Sequence, residues 1–558
     1  MFKCKQLLRR ICVVSYVFLL CGGLVNASNL VSKTNTLIGT QGNGWASGYL
    51  YPGATYPFGM VQFTPTYFTK QLGFVINQLS GAGCDHMGNF PTLPIAGALR
   101  VSPDSILNMQ TPVGKEIGTA GYYAATVDHS IRAELTVTER TGMARYTFSS
   151  KEKQGTVIIG GGVAATPIQV AAIKITGPHS CEGYAEGGAF CGIPTPYKVY
   201  FVAEFDADAE SFGTWKEERL HANHTFAEGS HSGVYFTFPL KEGNQAVQYK
   251  IGVSYVSVEN ARENLRVENP AWDFSAVRQA TQDKWNEYLG KIEVEGDNED
   301  RQMQFYTHLY RSLIHPNVCS DVNGEYMGAD SQVHKTARKF YTSFSNWDTY
   351  RTQTALIAML APEETSDIVM SHYLFAEQSG GGFPRWVLAN IETGVMQGDP
   401  TPILVANAYA FGARTYDPRT LLRTMRYGAE VPGANSQGVL TRPGLEQYLE
   451  KGYYDASILL EYTSSDFAIG RFALQACNDE PVCNWYTQRA MNWKNLFNKE
   501  TGWLQSRNED GSWKRYDADW RESTYKNYFW MVPYDLQGLI DSIGGKEAAE
   551  KRLDEMFR

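Results

Sequence analysis

The chain has 558 residues, 43% hydrophobic, 13% aromatic and 20% charged, enough apolar material for large packed cores and too ordered a composition for a disordered scaffold. Its length predicts two domains or more. With 50 Lys and Arg against 59 Asp and Glu, a net charge of -9, and no basic cluster beyond a short N-terminal one, a nucleic-acid partner is excluded as the working assumption.

Residues 1–27 read as an export signal: Lys3, Lys5, Arg9 and Arg10, an apolar run from Ile11 to Leu20, then Val25-Asn26-Ala27 as a small-residue cleavage site. Cleavage after Ala27 is preferred to a lipid anchor at Cys21, because Leu20 stands where a small residue is needed. No later stretch reaches membrane-spanning length, so a secreted or periplasmic chain without an integral membrane segment is expected. Of the cysteines that remain, the close pairs Cys181/Cys191 and Cys477/Cys483 are expected to be disulfides. Zinc is not expected, since neither pair has ligand spacing or partner histidines.

From Ser28 the period is two: Ile131, Ala133, Leu135 and Val137 point inward against Arg132, Glu134, Thr136 and Thr138. Val247, Tyr249, Ile251, Val253 and Tyr255 repeat the pattern. Short strands with Gly-rich turns predict an antiparallel β-sandwich over 28–270. Residues 271–300 form a linker, with a helix capped by Asp273 and stopped at Gly290. Beyond it, 301–558 is helical, with helices expected at 301–314, 347–360, 364–378, 401–413, 418–428, 456–477, 482–497, 535–543 and 545–557. The fold class is therefore α+β and multidomain, a β-sandwich followed by a toroid of paired helices. A closed ring of six hairpins needs more helices than these, so the toroid is expected to be incomplete at its C-terminus.

Gly-x-Ser-x-Gly, Walker and His-Glu-x-x-His motifs are missing. Gly380-Gly381-Gly382 reads as a helix stop, and His221, His224 and His231 as solvated loop histidines. Acidic and aromatic loops remain. Cleaving a glycosidic bond takes one carboxylic acid to protonate the leaving oxygen and a second carboxylate to activate water or attack. The candidates are Asp348, Glu392 and Glu522, among which spacing does not choose. For Asp348 the competing account is a helical ion pair with Arg351.

Longer matches select among these options. Tyr51-Pro52-Gly53-Ala54-Thr55-Tyr56-Pro57-Phe58-Gly59-Met60, Leu79-Ser80-Gly81-Ala82-Gly83-Cys84, Ser320-Asp321-Val322-Asn323-Gly324-Glu325-Tyr326, Trp347-Asp348-Thr349-Tyr350-Arg351, Pro384-Arg385-Trp386 and Trp530-Met531-Val532-Pro533 occur in order along the chain. In these it resembles glycoside hydrolase family 92, the exported, calcium-dependent exo-acting α-mannosidases. The resemblance implies a β-sandwich packed on an (α/α)6 barrel and hydrolysis of terminal α-linked mannose from glycans with inversion. It implies two carboxyl groups roughly 6.5–9.5 Å apart, with calcium on the mannose 2- and 3-hydroxyls. By the same resemblance Glu522 is the general acid, Trp347 and Asp348 line the sugar pocket, and Asn390 and Glu392 lie on a loop near it; no metal ligand is assigned.

Two departures accompany it. Lys526 follows Glu522 closely, and an ammonium turned toward that carboxyl would keep it ionised, the opposite of what a general acid needs. Lys526 is therefore expected either to point away or to serve an anionic aglycone. Second, the family's Gly-Asn-Glu-Pro segment and its base-bearing Gly-Asn-x-Asp-x-Gly run do not occur, so a truncated chain without its base is expected. The alternatives carried forward are a catalytically inactive mannoside-binding protein and an inverting phosphorylase.

Overall fold

The computed structural model describes residues 29–40, 49–65, 73–104, 113–242 and 245–557. The expected signal segment, with Cys21, lies outside them. Among the described residues no helix is long and apolar enough to cross a membrane.

The period-two segments form two large sheets. One has eight strands, running from Ala54–Thr55 through Gln154–Gly160 and Ser232–Pro239 to Arg219–Ala222. The other has nine, with Ile193–Phe205, Ala246–Ser254, Thr141–Thr147 and Ile131–Val137 at its centre, paired antiparallel. Their facing sides share one core, in which Phe205 meets Tyr249 and Phe236 with ring centroids 5.3 and 5.0 Å apart. Much of the aromatic content is spent there. Ile131, Ala133, Leu135 and Val137 are buried as expected; Thr136, expected outward, is buried too. The helix Phe274–Leu289 packs on that strand, and Thr136 satisfies its hydroxyl by donating to the Gly121 carbonyl at 2.9 Å.

That helix starts where Asp273 accepts from the Ala276 N–H and stops at Gly290. Within the span expected as sandwich, however, residues Val258–Glu268 form another helix, capped by Ser257. It lies so close to the last strand that a Cβ on Gly252 would stand 2.3 Å from the Ala261 carbonyl oxygen. The junction is polar and buried: Asp321 accepts from Ser254, Asn260 and Asn264 at 2.7, 2.9 and 2.6 Å. One carboxylate thus ties the last sandwich strand, the helix Val258–Glu268 and the helical domain together.

Helices from Glu299 onward build the second half. The expected 347–360 helix is split into Asn346–Thr349 and Gln353–Leu360, because Thr352 at φ -144° leaves the helical region. Leu445–Lys451, bracketed by left-handed Gly444 and Gly452, was too short to show a period. The helix Ala456–Cys477 is buried along most of its length, and its polar residues must find partners inside. Asp466 does so fully, accepting from Arg442 Nη1, Arg489 Nε and the Tyr448 hydroxyl, each at 2.7 Å. Against the effect of burial, Arg489 and Arg442 hold its carboxyl below the usual range. Truncating it leaves the buried Arg489 without a carboxylate and Arg442 with Asp399 alone, at 2.8 Å, so Asp466→Ala is expected to cost about 3–5 kcal/mol in urea unfolding; a loss under about 1 kcal/mol would contradict this account.

The disulfide expectation is corrected. The bond joins Cys84 to Cys191, while Cys181, Cys319, Cys477 and Cys483 are buried free thiols. Cys181 stands near the start of the extended strand Ser180–Phe190 and Cys191 just past its end, so at about 3.3 Å per residue they lie roughly 30 Å apart. Cys181 faces the sandwich core instead.

Candidate active site

The short helix Asn346–Thr349, the helices Thr401–Ala410 and Ala456–Cys477, and the segment 521–534 enclose a cavity of about 840 Å³. Trp347, Tyr350 and Arg351 form one wall, with the Arg351 guanidinium 4.8 and 4.9 Å from the two ring centroids. Phe467, stacked on Tyr534 at 5.1 Å, and Met531 make an apolar floor. Glu522 enters from the loop before the helix Tyr525–Tyr528 and is the only carboxylate among the described lining residues. Its φ is +51°, a left-handed conformation costing a non-glycine residue of order 1–2 kcal/mol. Such strain concentrates where a side chain must be aimed. Glu522 is exposed and makes no hydrogen bond or ion pair among the described residues.

Of the residues singled out in the sequence, the structure brings Trp347 and Glu522 to this one cavity. Asp348 is adjacent but exposed, and accepts from the Ser345 hydroxyl. The Asp348–Arg351 ion pair is absent among the described residues; Arg351 pairs with Glu461 at 3.5 Å. Lys526 is not in the cavity wall and forms no ion pair with Glu522 among the described residues, which is the first of the two arrangements expected for it. Asn390 and Glu392 lie away from the lining. Asn390 donates to the Gly328 carbonyl at 3.3 Å. Glu392 is buried and accepts backbone N–H groups of Arg385, Trp386 and Gly394 at 2.6, 3.3 and 2.9 Å, organising the loop around itself. Burial raises its carboxyl, opposed by Arg385 and those N–H donors.

Sequence reasoning missed Glu461. It lies fully buried behind the wall, in an apolar helical run, and burial raises its carboxyl to about 7 against the pull of Arg351, Tyr350 and Trp347. A carboxyl raised in the fold contributes its full stability below its unfolded value near 4.5 and loses it as pH rises through 7, by about 3 kcal/mol at roughly 1.4 kcal/mol per unit. Glu461→Gln, which cannot ionise, should therefore gain about 3 kcal/mol on wild type between pH 4.5 and pH 8. A stability difference flat across that range in urea titrations would reject this.

A cavity with room for more than one sugar ring and with ring and guanidinium walls, in a helical domain behind a sandwich, sets the chain among the glycoside hydrolases. Comparison makes this specific. The chain belongs to glycosyl hydrolase family 92: the model of the family's N-terminal domain matches residues 34–254 and that of its catalytic domain residues 260–558. The family GH92 α-mannosidase BT3965 of Bacteroides thetaiotaomicron superposes with a TM-score of 0.86 at 25% identity, over 95% of this chain and 75% of that one. The family GH92 inverting mannosidase BT2199 of the same organism gives 0.85 at 26%, over 94% and 74%. An uncharacterized secreted glycosidase of Arthroderma benhamiae is 25% identical over 94% of this chain and 74% of its own.

Proposed function

We propose that this protein hydrolyses terminal non-reducing α-linked mannose from glycans with inversion, using Glu522 as general acid, and that it acts after export with its signal cleaved behind Ala27. The observation that carries the reading is the convergence of Glu522 with Trp347, Tyr350 and Arg351 on one cavity in a family 92 chain. Support comes from the relatives: BT3965 has been seen in complex with mannoimidazole, and BT2199 is described as inverting.

In this scheme the indole of Trp347 packs on the C–H face of the sugar, and Asp348 accepts sugar hydroxyls from the rim. Glu522 gives its proton to the glycosidic oxygen as the bond breaks. Calcium dependence is proposed on the family resemblance alone. Among the described residues no three His, Cys, Asp or Glu side chains converge on a metal position.

A second reading, a mannoside-binding protein without turnover, is favoured by one observation: the described lining holds Glu522 and no second carboxylate, whereas inversion needs one to activate water. Proton NMR of an α-mannoside digest decides. Appearance of β-mannose as first product supports the hydrolase; binding of mannoimidazole with no mannose released supports the second reading.

A further inference from the structure

Glu461 touches the cavity wall from behind without lining the cavity itself. One of its carboxylate oxygens accepts the Trp347 indole N–H at 2.9 Å and the other the Tyr350 hydroxyl at 3.1 Å, with Arg351 Nη2 at 3.5 Å. Those three residues all face the cavity. Behind Glu461 the space is closed by Gly398, at φ +76°, where a Cβ would lie 2.6 Å from the Glu461 Cβ and 2.8 Å from its Cγ. The glycine lets the backbone press on the glutamate stem, so the carboxylate has one direction to face. An apolar side chain would fill this site at less cost than a buried carboxylate, yet it could not fix a ring plane. A carboxylate accepting from two rings fixes both, and it draws the Arg351 guanidinium toward them.

We propose that Glu461 is a positioning residue of the sugar site: it sets the planes of Trp347 and Tyr350 and the place of Arg351, and acts on substrate only through them. This rests on the reading of the cavity as a mannoside site. The competing account, an ion pair that merely joins helices, requires stability to change and the wall's orientation and binding to stay.

The test uses the full chain labelled with ¹⁵N-tryptophan, the Trp347 indole signal being assigned by its loss in Trp347→Phe. In wild type that indole proton should exchange slowly, and in Glu461→Gln, which still offers an acceptor, it should stay slow. In Glu461→Ala it should exchange fast and move. Mannoimidazole titrations should give Glu461→Ala a loss of about tenfold or more, the worth of a charge-assisted hydrogen bond, and Glu461→Gln, which keeps one acceptor for the indole but lacks the charge and the second acceptor, a smaller loss. A folded Glu461→Ala that binds as wild type does, or whose Trp347 signal is unmoved, overturns the proposal. If Glu461→Ala does not fold, the wild-type exchange rate decides, and fast exchange overturns it. Should wild type fail to bind mannoimidazole while the indole signals behave as expected, the mannoside reading falls and the positioning of the wall stands.

Discussion

Glu522→Gln should abolish most mannoside turnover, lowering kcat by about 10²- to 10⁴-fold, the range that general acid catalysis supplies, while unfolding at the wild-type denaturant concentration. The two halves of this expectation have separate causes. Glu522 is exposed and holds no partner among the described residues, so an isosteric amide disturbs nothing and stability should stay within about 0.5 kcal/mol. Chemistry suffers because the amide has no proton to give when the glycosidic oxygen develops charge. The size of the loss should therefore follow the leaving group. A dinitrophenyl mannoside departs without protonation and should be hydrolysed by Glu522→Gln nearly as well as by wild type, whereas a mannobiose should not. Equal losses on both substrates would remove Glu522 from the acid's role.

Local pattern carried the fold further than it carried the site. The alternation at Ile131, Ala133, Leu135 and Val137 and the cap at Asp273 are decided within a few residues, and the structure repeats them. The disulfide is not local: Cys84 and Cys191 are 107 residues apart, and only the folded sandwich brings them together. Asp348 and Arg351 have helical spacing, but the helix ends before Thr352, and Asp348 turns to Ser345 while Arg351 turns to Glu461. Glu461 itself stands in Leu459-Leu460-Glu461-Tyr462, where periodicity announces burial and says nothing of what the carboxylate meets. Its signal was available in another form, since an acid inside so apolar a run must have partners or be neutral. Glu392 shows the converse: a conspicuous loop acid spent on its own backbone.

Acid should unfold this protein from within the sandwich junction, beginning well above the pH at which its ion pairs titrate. His86 accepts the Leu79 N–H at 2.8 Å, and His315 accepts the Ser80 N–H at 2.9 Å, each through Nε2. Only a neutral ring accepts there. Burial is the main cause that lowers both to about 4. His372 is lowered likewise, but both its nitrogens face oxygens, of Ile368 and Asn346, so protonation breaks no accepted bond there. A base whose folded value lies below its unfolded value of 6.5 contributes full stability above 6.5 and loses it as pH falls toward 4. Each of the two histidines then costs about 1.4 kcal/mol per unit, about 3 kcal/mol each by pH 4. Glu461 works in the opposite sense between 7 and 4.5 and offsets about one of them. The steepest loss is thus expected in Glu461→Gln, with unfolding free energy falling by roughly 6–7 kcal/mol between pH 6.5 and 4. Adding His315→Gln, whose amide oxygen can still accept from Ser80, should halve that slope. A slope unchanged by His315→Gln would show that the buried histidines do not set acid stability.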